Sequence, residues 1–136
     1  MEPKLILIVC PKTHQPVFER SLREALDKER IRYVFVHCDT AANAAASMDQ
    51  AGYPDFVVCE KDAGSVDAYF DLLRKVRHAG ESMPFVVWST SFSSDATRLI
   101  ADLNGLTVSW AKPGALARLN RYATTLLHGQ RRKQAS

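Results

Sequence analysis

Residues 54–64 read Pro-Asp-Phe-Val-Val-Cys-Glu-Lys-Asp-Ala-Gly, and Phe56, Val57, Val58 and Cys59 at their centre decide the fold. Four apolar side chains in succession, two of them β-branched and bounded by Pro54 and Gly64, predict a short strand buried on both faces. Such a strand belongs in the middle of a parallel sheet, where helices cover either side. Glu60 stands at its exit. In open α/β sheets, ligands and chemistry sit in the crevice beyond the carboxyl ends of the strands, which makes Glu60 the first candidate site residue.

On the amino-terminal side, Leu5-Ile6-Leu7-Ile8-Val9 is the heart of a second apolar run, Lys4 to Cys10, closed by Pro11. Thr13 or Gln15 opens a helix over about 14–29 with Pro16 near its first turn, and Phe18, Leu22, Ala25 and Leu26 recur at helical spacing. Tyr33 to Cys38 predicts the second strand. Asp39 or Thr40 caps an alanine-rich helix over about 41–51, and Gly52 ends it.

On the carboxyl side, a polar loop to Ser65 leads into a helix with Ala68, Tyr69, Leu72, Leu73 and Val76 inward, ended by Gly80. Met83 to Ser89 is a fourth strand, with Pro84 tolerated at its start, and the next helix has Leu99, Ile100 and Leu103 as its apolar positions. Leu106 to Trp110, shorter and more polar, suits an edge strand; Leu116, Leu119, Ala123 and Leu126 mark the last helix. Five strands alternating with five helices specify an α/β, three-layer (βα)5 domain with a parallel sheet covered on both faces. The flavodoxin-like order 2-1-3-4-5 is the common solution at this length.

A chain of 136 residues suits one domain. Its boundaries are placed at 1–127, with residues 128–136 as a basic tail expected to lack structure. That tail holds three of the eighteen Lys and Arg and no acid, so the formal charge of +3 belongs to it, and the body balances fifteen charges of each sign. A nucleic-acid binder carries a basic stripe on a fold element, so no direct nucleic-acid binding is expected. No apolar run reaches membrane-spanning length. The run that begins at Lys4 is too short for a secretory signal, and the expected location is the cytoplasm. Cys10, Cys38 and Cys59 lack CxxC spacing and read as small buried hydrophobes in a reducing compartment. His37 has no second ligand at a metal spacing and reads as a strand residue.

The strand ends bring Cys10-Pro11, Glu60, Ser89-Thr90 and Lys112-Pro113 to one edge of the sheet. Val-Val-Cys-Glu preceded by Pro-Asp, then Pro-Phe-Val-Val-Trp-Ser, then Ala-Lys-Pro, in this order and spacing, resemble the CheY-like receiver domain of two-component response regulators over about residues 4–127. In that family an aspartate ending the third strand accepts a phosphoryl group from a histidine kinase. Two acidic residues ending the first strand hold magnesium with it, and a Ser or Thr and a Lys ending strands four and five grip the phosphoryl oxygens. The resemblance implies these roles for Ser89 and Lys112. Glu60 takes the phosphoacceptor position, Cys10 and Pro11 the acidic pair, and Ser109 the place of the switch aromatic. Thr90 stands where the family favours a small residue.

Magnesium wants hard oxygen ligands in near-octahedral array; a thiol is too soft and proline has no side-chain donor. No magnesium or other cofactor is therefore expected, and no phosphotransfer. Phosphoryl transfer rests on positioning and charge neutralisation, and the extra methylene of Glu60 displaces its carboxylate by roughly 1.5 Å. Glu60 is expected instead to reach Lys112 and hydrogen-bond Ser89, imitating part of the contact set of an acyl phosphate.

The implied function is that of a stand-alone, non-enzymatic pseudo-receiver in a two-component phosphorelay. It would act on a signalling partner, or its own copy in a dimer, through the face of helix four, strand five and helix five. Arg98, Asp102, Trp110, Arg118, Arg121 and Tyr122 fall there, and Arg and aromatic residues are enriched at contact hot spots. Three alternatives stand beside it: a receiver that retains phosphorylation-like switching, a flavodoxin-like protein binding a flavin or nucleotide, and an enzyme with Cys10 or Cys59 as nucleophile beside His14 or His37. The turn from Cys10 to Gln15 lacks the glycines of a phosphate cradle, and no third group stands out to orient a base for the thiols.

Overall fold

A computed structural model describes residues 2–135, with the backbone alone from 129 onward. The elements run β1 (Lys4–Val9), α1 (Gln15–Lys28), β2 (Tyr33–Cys38), α2 (Ala41–Ala51), β3 (Phe56–Glu60), α3 (Ala68–His78), β4 (Phe85–Ser89), α4 (Ser94–Asp102), β5 (Leu106–Ser109) and α5 (Ala115–Ala135). All strand pairs are parallel, as the alternation specifies, and the order is β2-β1-β3-β4-β5, the flavodoxin-like solution expected at this length.

The unbroken apolar runs are explained by two cores, one on each face. Ile6, Ile8, Phe56, Val58 and Val86 point toward α1 and α5, where they meet Phe18, Leu22, Leu26, Leu119 and Leu127. Their neighbours Leu7, Val9, Val57, Cys59 and Val87 point the other way, onto Met48, Leu72, Leu73, Val76 and Ile100 of α2, α3 and α4. Alternate side chains of a strand face opposite sides, so a strand covered twice must be apolar throughout. Each such side chain contributes roughly 1.5–3 kcal/mol by leaving water.

Details depart from the periodicity. In α4, Ile100 is buried but Leu99 is 46% exposed, because the nine-residue helix lays only one row on the sheet. In α5 the buried row is Leu119, Ala123 and Leu127, a strict four-residue repeat that leaves Leu126 half-buried. Neither Thr13 nor Gln15 caps α1: His14 occupies that position without a side-chain bond, Pro16 lies in the first turn, and the Gln15 amide donates to the Cys10 carbonyl at 3.1 Å. Thr40 does cap α2, accepting from the Asn43 N–H at 3.0 Å. The backbone of α5 stays helical through Ala135, across the boundary drawn at 127; Gln, Arg and Lys are good helix formers, and Gly129 does not break it. Side chains from 129, and Ser136, lie outside the described residues.

One fastener was not legible beforehand. Arg77, half-buried near the end of α3, donates to the carbonyls of Leu103 at 2.7 Å, Asn104 at 3.2 Å and Glu81 at 2.9 Å. It ties the end of α3 to the turn between α4 and β5.

Candidate functional site

Register places the candidate residues. Val9 of β1 lies beside Cys59 of β3, Glu60 beside Trp88 of β4, and Ser89 beside Ser109 of β5. The exits of β1, β3, β4 and β5 therefore open on one edge. There they form a crevice of about 670 Å3, lined by Glu60, Ser89, Thr90 and Lys112 together with His14 and Trp110.

Glu60 does not pair with Lys112. Its carboxylate meets His14 Nδ1 at 2.6 Å, a partner supplied by the loop that leads from β1 into α1. The reason is topological: β1 lies next to β3, so the β1–α1 loop hangs directly over the Glu60 exit. The carboxylate is one-fifth exposed and the imidazole about half, which makes the contact modest in energy. Lys112 lies in the loop after β5, exposed, and makes no ion pair among the described residues. Ser89 is half-buried and its carbonyl accepts from the Trp110 N–H at 2.9 Å. Its hydroxyl does not bond Glu60, so the expected mimic of an acyl phosphate is not assembled.

Cys10 and Pro11, to which the resemblance assigns the place of an acidic pair, offer nothing that suits a hard cation. Cys10 is fully buried, and its thiol is pushed up to about 12, first by burial and then by the neighbouring Glu60 carboxylate. It is a neutral thiol at physiological pH. Pro11 is exposed and without a side-chain donor. Among the described residues, no cluster of three or more His, Cys, Asp or Glu side chains is placed to hold a metal. The donor set does not fit magnesium.

The other sequence candidates are tied up. Ser109, in the place of the switch aromatic, donates its hydroxyl to the Thr90 carbonyl and fastens β5 to the β4–α4 loop. Lys61, which the sequence did not single out, binds Asp67 at 2.5 Å and Asp62 at 3.6 Å. His37 Nε2 meets Glu19 at 3.1 Å. Burial, its largest cause, raises the Cys59 thiol as well. Both thiols are held protonated by burial and both imidazoles meet carboxylates, so among the described residues neither Cys10 nor Cys59 has an imidazole bonded to it as a base.

Sequence reasoning missed His14 as the partner of Glu60, and it missed the walls. Trp88 packs edge-on against Phe18, ring centroids 4.8 Å apart. Val17 and Trp110 are each 53% exposed at the crevice mouth. The signal for His14 was available: it lies in the loop that leaves β1, the strand next to β3.

No family model matches the sequence, and no curated protein matches it. Solved structures do. A response regulator receiver protein from Pseudoalteromonas atlantica superposes with a TM-score of 0.75 at 14% identity, covering 93% of this chain and 98% of that one. A CheY-like receiver domain protein from Methanospirillum hungatei gives 0.71 at 17%, covering 97% and 99%. The phosphorylated cyanobacterial phytochrome response regulator RcpA gives 0.65 at 20%, covering 92% and 91%. The chain has the CheY-like receiver fold. Glu60, Ser89 and Lys112 line the crevice at the carboxyl edge of this sheet, the edge at which open α/β sheets place their ligands.

Proposed function

We propose that this chain is a pseudo-receiver: a non-enzymatic module of two-component signalling that passes its message by docking, without magnesium and without phosphorylation of an aspartate. The carrying observation is the occupant of the phosphoacceptor position. Glu60 is a glutamate already engaged by His14 at 2.6 Å, and it is flanked by a buried neutral thiol and a proline where metal ligands would be needed. A transferring phosphoryl group brings about −1.5 to −2 charges, and Lys112 alone is a poor counterweight.

Output belongs to the α4–β5–α5 face. Leu99 and Trp110 are apolar and about half exposed there, with Arg98, Arg118 and Arg121 at the surface, a composition suited to a signalling protein or a second copy. Nucleic acid and membrane are not proposed as partners. Among the described residues no helix is long and apolar enough to cross a membrane.

The test is incubation with acetyl phosphate, and separately with beryllium fluoride, each with magnesium, followed by mass spectrometry and NMR. The expected result is no phosphoryl increment and no metal-dependent shift at Glu60, Ser89 or Lys112. An increment on residue 60 would overturn the reading.

A further inference from the structure

The same edge carries a second feature, a crevice that shares Trp110 with the docking residues but is otherwise lined by others. We propose that the crevice between the start of α1, the ends of β4 and β5 and the start of α5 is a binding site for a small aromatic monocarboxylate. At about 670 Å3 it falls within the range of small-molecule sites. Its walls are apolar and flat: Phe18 and Trp88 on the inside, Val17, Trp110 and Leu116 around the mouth. Val17 and Trp110 are two of the five large apolar side chains left exposed among the described residues, and both line this one depression. Indole faces with open sides favour a planar ring, which buries much area at little cost in conformational freedom.

The charges select the rest of the ligand. Of the ionisable groups lining the crevice, Glu60 is answered by His14 and Asp62 by Lys61. Among those lining groups Lys112 alone has no opposite charge among the described residues, and the hydroxyl of Ser89, which lines the same crevice, has no hydrogen-bond partner there. One free ammonium and one free hydroxyl match one carboxylate. A phosphate or nucleotide would bring further negative charge close to Glu60 and Asp62, and the second lysine of the lining, Lys61, is already paired with Asp62 and Asp67. A neutral aromatic compound would leave Lys112 unanswered.

The chain contains two tryptophans, Trp88 and Trp110, and both line the site. Their indole N–H signals in a nitrogen-15 correlation spectrum therefore report on the crevice directly. Titration of the full chain with 2-naphthoate is expected to move both signals saturably. Lys112→Met, at an exposed position that the core does not need, is expected to weaken binding about tenfold, the lower end for loss of one charge-assisted contact. The amide of the same ring, 2-naphthamide, is expected to bind wild type about as weakly as the acid binds the variant. Added salt should lower the affinity of wild type and leave that of the variant unchanged. Absence of saturable shifts, equal affinity of acid and amide, equal affinity of wild type and Lys112→Met, or equal shifts with inorganic phosphate would each overturn the assignment. None of these readouts depends on acetyl phosphate or magnesium, so the site and the docking function stand or fall separately.

Discussion

Glu60 illustrates how far a residue's meaning depends on what its neighbours supply. Shortening it to the aspartate that the resemblance expects repairs the geometry of the acceptor and nothing else, since Cys10 and Pro11 still bring no hard oxygen to the strand-one exit. Glu60→Asp is therefore expected to show no phosphoryl increment with acetyl phosphate and magnesium by intact mass; phosphorylation of the single variant would mean that the metal deficit does not govern. His14→Ala removes an exposed partner, so its effect on stability is expected to stay below about 1 kcal/mol in urea unfolding. Cys10 tests the burial argument. With its thiol raised to about 12 and no exposed surface, it should resist iodoacetamide at pH 8 in the folded protein and react on unfolding. Rapid labelling of the native chain would remove the case for an inert thiol. The positions of Glu60, Ser89 and Lys112 at one edge were legible in the sequence because strand ends follow from apolar runs. The pairing of Glu60 was not, because the choice between His14 and Lys112 depends on where two loops hang over the sheet.

Elements are joined here by turns whose geometry tolerates little change. Gly64, in the loop after β3, has φ +97°, and a Cβ there would lie 2.8 Å from Thr40 Cβ and 2.9 Å from its Cγ2. Thr40 is the cap of α2, and the Ala41 N–H donates to the Ala63 carbonyl at 3.0 Å, so two loops share this point. Gly64→Ala combines left-handed strain of about 1–2 kcal/mol with displacement of that cap, and a loss of about 2 kcal/mol or more is expected in chemical denaturation. Arg77 fastens the opposite end of the sheet. Arg77→Met keeps the length of the stem and strips the carbonyls of Leu103, Asn104 and Glu81 of their donor; an expected cost of about 2 kcal/mol follows from leaving partly buried acceptors unmet. Sequence made Gly64 visible as a loop boundary. It gave no sign of Arg77, whose three acceptors are backbone atoms and whose spacing to Leu103 and Asn104 is set only by the fold. Helix starts were partly legible for a related reason: Thr40 announces itself as a cap, whereas His14 does not.

At the scale of the whole molecule, the parallel sheet followed from the alternation of apolar runs, its strand order from the common solution at this length, and the balance of the body's charges from counting. What counting could not reveal is that several proton-releasing groups are held in their protonated forms by the fold. Burial is the largest cause for Cys10, Cys38, Cys59, Tyr33 and Tyr69, each raised above its ordinary value. Lys61 is raised chiefly by its hydrogen bond to Asp67. For Cys10 the unfolded thiol ionises near 9.0 and the folded one near 12. Between those values the unfolded chain binds fewer protons than the folded one, so stability is fully present below about pH 9 and is lost as pH rises toward 12. The other raised groups act in the same direction, and their contributions add to the decline. The expected outcome is a melting temperature that changes little on account of these groups from pH 7 to 9 and then falls steeply. The slope identifies the cause: Cys10→Ala should reduce proton release on unfolding near pH 10–11 by about one per molecule, at the expense of a small cavity that lowers stability equally at all pH values. A Cys10→Ala variant with the same alkaline slope as wild type would show that the thiol ionises as readily inside the sheet as outside it, and the case for a neutral thiol at the exit of β1 would fall with it.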